Sequence, residues 1–161
     1  MIISGFAGIG KSTLGKENPK VLDLESSDYK FIFTEEQKKM PAEERKGIVG
    51  REKDPTWPNN YISAIIAADK KYDLVLIAMN IEIRTGLLEA GATFALAYPG
   101  LDCREEIIQR TKDRGNNEFF TNLIAEKYTE WINDLEAQPQ RKIRLAHGEY
   151  LKDALVREGI L

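Results

Sequence analysis

A stretch of nine residues near the start of the chain has the residue types and spacing needed to bind a phosphate group. Its first eight residues match the pattern G-x-x-x-x-G-K-[ST] without substitution, and its members are Gly5, Phe6, Ala7, Gly8, Ile9, Gly10, Lys11, Ser12 and Thr13. Glycines adopt backbone angles that other residues avoid, so successive amide groups can turn inward around an anion. In such a loop the lysine binds the β- and γ-phosphates of ATP, and the hydroxyl that follows it coordinates Mg²⁺. We therefore expect Lys11 and Ser12 to take these two roles.

The segments on either side of this glycine-rich loop (residues 5–13) support the match. Apolar residues predict a buried strand before it, and a helix is predicted to start at Lys11. That helix must be short, because Asn18 precedes a proline and such residues disfavour helical angles. Its N-terminus adds a partial positive charge facing the anion. A chance glycine-rich turn is the alternative, and the order of strand, loop and helix argues against it.

Five short apolar segments predict parallel strands covered by helices on both faces. They are Ile2–Ser4, Lys20–Leu24, Asp73–Met79, Phe94–Tyr98 and Lys142–Ala146. Strands that alternate with helices predict a three-layer α/β fold with right-handed crossovers. Ligands in such sheets bind beyond the carboxyl ends of the strands. We therefore expect the functional residues at that edge of a single domain, residues 1–161.

Helical patterns fill the spaces between these strands. The predicted helices are Asn60–Lys71, Asn80–Ala90, Asp102–Arg114, Asn117–Ala137 and Glu149–Glu158. In the fourth of them, apolar and aromatic side chains recur every three or four residues, at Phe120, Ile124, Tyr128, Trp131 and Leu135, which predicts a core-facing stripe. The charged, proline-containing segment from Thr34 to Pro58 fits none of these elements. We interpret it as an insertion after the second strand.

The overall composition excludes several classes of function. The 161 residues carry a formal net charge of −3, which argues against a broad nucleic-acid-binding face. The single cysteine, Cys103, suits a reducing compartment. We find no apolar run long enough to span a bilayer and no basic leader before the first strand. These features predict a soluble cytoplasmic protein that binds neither nucleic acid nor membrane, and they leave its oligomeric state open.

Two carboxylates at the end of the second strand are candidates for metal and substrate chemistry. Strand alternation puts Asp23 and Glu25 on one side, close to the expected position of Lys11. One of them could hold Mg²⁺ through water, and the other could orient or deprotonate an acceptor hydroxyl. We assign Asp23 to the metal with Ser12, and Glu25 to the substrate. The alternative is that both are solvated acids of a loop.

Two arginines in the helical segment between the fourth and fifth predicted strands are candidates for catalysis. Phosphoryl transfer spreads negative charge over the equatorial oxygens, which arginine stabilises. Arg110 and Arg114 are four residues apart on one predicted helix face, and Gly115 follows as a natural hinge. We expect both side chains to close over the triphosphate. The alternative is a solvated helix face on which Glu106 pairs with Arg110.

Candidates for acceptor binding are less specific. They are Glu25, Asp28, Arg51, Asn80 and Arg84. Asn80 and Arg84 follow the third strand, at the edge where acceptors bind in such folds, and Arg51 lies in the insertion, where a cation could bind an acceptor phosphate. His147 follows the last strand, and we expect it near the nucleotide base. Trp57 and Tyr61 could stack on a base, but core packing is the favoured interpretation.

These features together resemble the nucleotide-kinase branch of phosphate-loop proteins, the adenylate kinase and shikimate kinase type. The resemblance rests on the glycine-rich loop near the first residue, on the Asp23-Leu24-Glu25 strand end, and on the arginine-rich stretch Arg104–Asn116. It implies a strand order 2-3-1-4-5, an acceptor-covering insertion at about 34–58 and a lid at about 104–117. A GTPase would need a guanine-reading motif, and a motor ATPase usually has a carboxylate at the end of a buried strand. The sequence has no such motif and no carboxylate at the end of the third strand, so neither class is favoured.

The expected function is that of an ATP-dependent phosphotransferase acting on a small acceptor. A nucleoside or deoxynucleoside monophosphate is the favoured acceptor, with Mg²⁺ as the accompanying metal. A kinase for a non-nucleotide metabolite is one alternative. A non-kinase module that binds or slowly hydrolyses ATP is the other, because the same loop serves several reactions.

Overall fold

A computed structural model describes residues 1–161, apart from the side chains of residues 42 and 43. Over this described chain, seven strands form a five-stranded parallel sheet in the order β2-β5-β1-β6-β7 and a separate two-stranded sheet of β3 and β4. The strands are β1 Ile2–Gly5, β2 Val21–Asp23, β3 Phe31–Ile32, β4 Glu52–Lys53, β5 Leu74–Ala78, β6 Phe94–Pro99 and β7 Arg141–Leu145. The expected α/β fold with a parallel sheet is confirmed.

The order counted along the whole chain is 2-5-1-6-7 and not the predicted 2-3-1-4-5. The difference arises because the prediction missed β3 and β4, which form a separate antiparallel sheet. Counting them raises the numbers of the last three strands of the parallel sheet from 3, 4 and 5 to 5, 6 and 7. Each of these two strands is only two residues long. Such short strands carry too little alternation to be recognised from a sequence.

Helices flank the sheet. They are α1 Lys11–Glu17, α2 Ser27–Lys30, α3 Glu35–Lys38, α4 Ala42–Lys46, α5 Asn59–Asp69, α6 Ile81–Glu89, α7 Arg104–Asp113, α8 Glu118–Ala137 and α9 Leu151–Arg157, with a 3₁₀ turn at Leu101–Cys103 before α7. Within the described residues, none of these helices has the length and apolar character needed to cross a membrane.

The centre of the sheet is buried on both faces. Every residue of β1 and β6 is buried, which explains why these strands read as continuous apolar runs. In the register of the sheet, Gly5 at the end of β1 lies beside Ala78 of β5 and Ala97 of β6. The carboxyl ends of three adjacent strands therefore meet where the glycine-rich loop begins.

The stripe along α8 divides between core and surface. Ile124, Tyr128 and Leu135 are buried, as predicted. Phe120 and Trp131 are only partly buried and pack against the edge of the core. The period of a helix predicts which side chains share a face, but it does not show that part of that face lines a cavity.

The insertion at 34–58 contains regular structure that the sequence did not indicate. It holds α3, α4 and β4, and α3 begins with a capping box in which Thr34 and Gln37 exchange hydrogen bonds. β4 pairs with β3, which lies just before the insertion, so these two strands bring the start and the end of the segment together.

Candidate functional site

The glycine-rich loop joins β1 to α1 at the carboxyl edge of the sheet. Gly8 and Gly10 have φ angles of 75° and 93°, in the left-handed region that residues with a side chain rarely adopt. Gly10 is also the N-cap of α1, so the helix begins at Lys11 and ends before Asn18, as predicted. The pattern of glycines is therefore required by the backbone path of the loop.

The side chain of Lys11 lies back along this loop. Its Nζ donates hydrogen bonds to the main-chain oxygens of Gly5, at 2.9 Å, and Phe6, at 2.7 Å. A Cβ atom on Gly5 would lie 2.8 Å from Lys11 Cδ, so only glycine leaves room for this path. Burial lowers the pKa of the Lys11 ammonium to about 8, although the carboxylate of Asp23 acts to raise it.

A cavity of about 470 Å³ opens beside the loop, and we call it the loop cavity. Eight of the residues predicted from the sequence line it: Ala7, Gly8, Gly10, Lys11, Ser12, Asp23, Glu25 and Arg114. Gly15 of α1 lies against Asp23, and this contact holds the strand end close to the loop. The predicted metal, substrate and catalytic side chains of this group therefore share one space.

Mg²⁺ fits the donors in the loop cavity. The hydroxyl of Ser12 and the carboxylates of Asp23 and Glu25 are oxygen ligands, which this cation prefers. No group of three or more His, Cys, Asp or Glu side chains that could hold a metal occurs in the described part of the chain. One or two protein oxygens suffice for Mg²⁺ that is also bound by water and phosphate, as in nucleotide sites.

Glu25 is paired with a residue that the sequence analysis did not select. The Lys46 Nζ of α4 lies 2.9 Å from Glu25 Oε2, and both side chains are about one-third exposed. Burial acts to raise the pKa of Glu25, but the hydrogen bond and charge of Lys46 lower it below its ordinary value. Lys46 also lines the loop cavity. Its position depends on how the insertion folds, so no local pattern marks it.

A second cavity of about 680 Å³ lies between α6 and α8, and we call it the α6–α8 cavity. Its apolar wall comes from Phe120, Ile124, Trp131 and Leu135 of α8. Lys11 and Ala7 line this cavity as well as the loop cavity. The glycine-rich loop therefore stands between two spaces, and its lysine borders both.

Arg84 gives the α6–α8 cavity a buried positive charge. Its side chain is only 10% exposed, and Nε has no hydrogen-bond partner. The nearest acid, Asp134, is half exposed, and its Oδ2 lies 3.9 Å from the guanidinium. Burial lowers the pKa of Arg84, and Asp134 acts to raise it. Asn80 lines the same cavity but is also the N-cap of α6, accepting from the amide of Glu82 at 2.8 Å.

The two candidate arginines lie in different environments. Arg114 lines the loop cavity. The guanidinium of Arg110 is instead paired with Glu106, donates to the Glu149 main-chain oxygen at 3.0 Å, and lies 3.9 Å from the centre of the Tyr150 ring. The structure contains the Glu106–Arg110 ion pair of the alternative interpretation, but this pair is not on a solvated face, because both side chains are less than one-fifth exposed. Arg110 lines neither cavity.

The remaining predicted side chains lie outside the linings described for both cavities. Asp28 pairs with Arg45 at 2.7 Å, and Arg51 lies over the ring of Phe31 at 4.0 Å. His147 is largely exposed, with Nε2 3.5 Å from Glu106.

Two of the predicted aromatic side chains belong to the core. Trp57 and Tyr61 are buried and stacked on each other, with ring centres 5.5 Å apart. Tyr61 donates to the main-chain oxygen of Leu24 at 2.6 Å, and Trp57 donates to Glu82 at 3.1 Å. Core packing was the favoured interpretation of this pair, and it is confirmed.

Fold and site together define an α/β protein whose glycine-rich loop lies between two cavities at the carboxyl edge of a parallel sheet. Comparison of the sequence with protein-family models and with curated proteins gives no match. Its function must therefore be inferred from the residues themselves.

Proposed function

We propose that this chain is a phosphate-loop phosphotransferase, which moves the γ-phosphoryl group of ATP to a small acceptor. The observation that carries the proposal is the position of Lys11, which borders both cavities. A transferase must hold a donor and an acceptor on either side of the group that moves, and a lysine between two cavities meets that requirement.

The loop cavity is the donor side. Backbone amides of the glycine-rich loop and the N-terminus of α1 point positive charge at the phosphates. Lys11 neutralises the β- and γ-phosphates once it leaves the oxygens of Gly5 and Phe6. Arg114 stabilises the charge that builds up on the transferred group. Mg²⁺ held by Ser12 and Asp23 supplies further charge neutralisation when it is bound.

The α6–α8 cavity is the acceptor side. Its volume of about 680 Å³ lies within the range of small-molecule sites. The buried guanidinium of Arg84 binds an anionic group, while the aromatic side chains of Phe120 and Trp131, which line the cavity, pack against a flat aromatic group. A nucleoside monophosphate or its deoxy form has both groups, and it is the acceptor we favour.

Transfer requires few steps from the protein. An oxygen of the acceptor attacks the γ-phosphorus, the bond from that phosphorus to the bridging oxygen breaks, and ADP leaves with the electron pair. A phosphate acceptor attacks as an anion, so no proton must be removed. A hydroxyl acceptor would have to lose its proton to a carboxylate. Glu25, the residue predicted for this role, lines the loop cavity and not the α6–α8 cavity, which favours an acceptor that attacks through a phosphate.

Turnover assays with a panel of acceptors test this proposal. We expect the release of ADP from Mg-ATP to rise sharply with one nucleoside monophosphate and to fall when Arg84 is replaced by Met. A sharp rise with a non-nucleotide metabolite would instead identify a metabolite kinase. If no acceptor changes the rate, the protein is an ATP-binding or ATP-hydrolysing module and the proposal is wrong.

A further inference from the structure

Helix α4 brings two consecutive basic residues to the acidic segment after β2. Arg45 NH2 lies 2.7 Å from Asp28 Oδ1, and Lys46 Nζ lies 2.9 Å from Glu25 Oε2. These two ion pairs connect the insertion to the segment that follows the second strand of the sheet.

The two basic residues differ in what surrounds them. The guanidinium of Arg45 also donates to the main-chain oxygens of Lys38 and Met40, both at 3.0 Å, and it lies over the ring of Phe33. Its side chain is only 13% exposed. Arg45 therefore has a structural position, whereas Lys46 is about one-third exposed and reaches into the loop cavity.

Among the described side chains of the insertion, Lys46 is the one that lines the loop cavity. There it joins Lys11 and Arg114, which makes three cations beside the two carboxylates of Asp23 and Glu25. The charge of Lys46 is close enough to oppose protonation of Lys11. A cavity with this excess of positive charge is suited to a ligand with several negative charges.

A lysine that is paired with an acid at the rim of a cavity can change partners. Its ammonium group is carried on a flexible four-carbon stem, and this pair is partly screened by solvent because both side chains are about one-third exposed. A polyphosphate offers several charged oxygens to the same ammonium, and hydrogen bonds between charged groups are the stronger ones. The pair with Glu25 is therefore a weak competitor for Lys46 once phosphate is present.

We propose that Lys46 is a phosphate-binding residue supplied by the insertion, held by Glu25 in the free protein and transferred to a phosphate oxygen of a bound nucleotide. This inference rests on the proposed function, because it uses the same loop cavity. It assigns the insertion a direct role in binding the donor and makes Glu25 available only after nucleotide has bound.

The exchange predicts opposite effects for the two partners of the ion pair. Lys46→Met removes a cation that binds phosphate, so nucleotide affinity falls. Glu25→Gln removes the acid that competes for Lys46, so affinity rises when no metal is present. A purely structural ion pair predicts that both substitutions act in the same direction, because each breaks the same contact.

Titration calorimetry with ATP in the presence of a chelator measures these effects without a contribution from metal. We expect Kd to rise about tenfold for Lys46→Met and to fall about threefold for Glu25→Gln, where tenfold corresponds to about 1.4 kcal/mol. Lys46→Arg keeps the charge and should stay within about threefold of the wild type. Lys39→Met, an exposed substitution in the same insertion and outside the lining of both cavities, is the matched control and should bind unchanged.

The outcomes separate the two proposals. If the wild type binds ATP and Lys46→Met binds it equally well, or if Glu25→Gln weakens binding as much as Lys46→Met does, the exchange is wrong and the phosphotransferase proposal stands. If the wild type binds no ATP at all, both proposals are wrong. Thermal melting of each variant without ligand confirms that it is folded. Should Lys46→Met unfold, Glu25→Gln gives the decision, because the exchange predicts tighter binding and a structural ion pair predicts weaker binding.

Discussion

Gly15 of α1 lies so close to Asp23 of β2 that a Cβ atom added there would be 3.0 Å from Asp23 Cβ and 3.2 Å from Asp23 N. Neither of these atoms is the far end of a flexible side chain, so the helix or the strand would have to move. This contact fixes the distance between the helix that follows the glycine-rich loop and the carboxylate assigned to the metal.

Gly15→Ala is predicted to destabilise the protein. Overpacking destabilises a protein by about 1–3 kcal/mol, whereas alanine in place of a helical glycine stabilises it by about 1 kcal/mol. We expect a net loss of about 1 kcal/mol in the free energy of unfolding, measured with urea. Gly47→Ala is the control, because Gly47 has a φ of −79° and a Cβ there would meet only Glu44 O at 3.4 Å. A variant Gly15→Ala at least as stable as the wild type would refute the close contact.

The replacement of Arg84 by Met is predicted to remove acceptor binding without loss of stability. A buried guanidinium with an unpartnered Nε and an acid as far away as 3.9 Å recovers little of its desolvation cost. We expect the free energy of unfolding to stay equal or to rise by about 1 kcal/mol, while acceptor-dependent ADP release falls at least about tenfold. Urea unfolding and a coupled ADP assay give the two values.

Asp134→Asn supplies the comparison for Arg84→Met. It leaves the arginine in place and removes its neighbouring acid, so it should destabilise the protein by up to about 1 kcal/mol, because Asp134 is half exposed. Destabilisation of more than about 2 kcal/mol by Arg84→Met would show that the arginine is structural. The acceptor site would then have to be sought elsewhere.

The sequence predicted the parts of the site whose geometry is local. The backbone of the glycine-rich loop, the start of α1 at Lys11 and the position of Asp23 at a strand end all follow from patterns a few residues long. These patterns work because the loop must turn at Gly8 and Gly10 wherever the rest of the chain goes.

Residues that reach the site through tertiary structure could not be predicted in the same way. Lys46 belongs to a segment whose sequence shows no clear period, and its contact with Glu25 depends on how α4 packs. Arg110 lies within α7 and Arg114 is the C-cap of that helix. Only Arg114 lines a cavity, because Glu106 and Tyr150 hold the side chain of Arg110. Two short strands were missed because two residues cannot show alternation.

Arg110 and Arg114 are predicted to have separable effects. Arg110→Ala removes contacts to Glu106, Glu149 and Tyr150, and both members of its ion pair are less than one-fifth exposed. We expect a loss of about 2 kcal/mol in stability and little change in ATP affinity. Arg114→Ala should lower turnover about a hundredfold or more, because Arg114 lines the loop cavity.

A double-mutant cycle with Glu106→Gln tests the structural part of that prediction. The coupling free energy between Arg110 and Glu106 should exceed about 1 kcal/mol, since the pair is largely buried. The coupling between Arg114 and Glu106 serves as the internal control and should be near zero. If Arg110→Ala instead lowers turnover as much as Arg114→Ala at unchanged stability, the expectation that both arginines close over the triphosphate is supported.

Arg144 on β7 and Glu136 on α8 form a two-point ion pair at the edge of the sheet. Nε and NH2 of the arginine donate to the two carboxylate oxygens, each at 2.6 Å. The hydrogen bonds from Arg144 lower the pKa of Glu136 to about 2. Both side chains are more than one-third exposed, so solvent screens the pair and its contribution to stability is less than about 1 kcal/mol.

The contribution of this pair is predicted to disappear in acid. A carboxylate whose pKa is lower in the folded state stabilises the fold above its ordinary pKa of about 4.5, and that stability is lost as the pH falls toward 2. Glu136→Gln should therefore be about 0.5 kcal/mol less stable than the wild type at pH 7, with the difference shrinking below pH 4.5. Urea unfolding at several pH values measures it, with the exposed Glu89→Gln as control. A difference that stays constant down to pH 2 would contradict the ion pair as its cause.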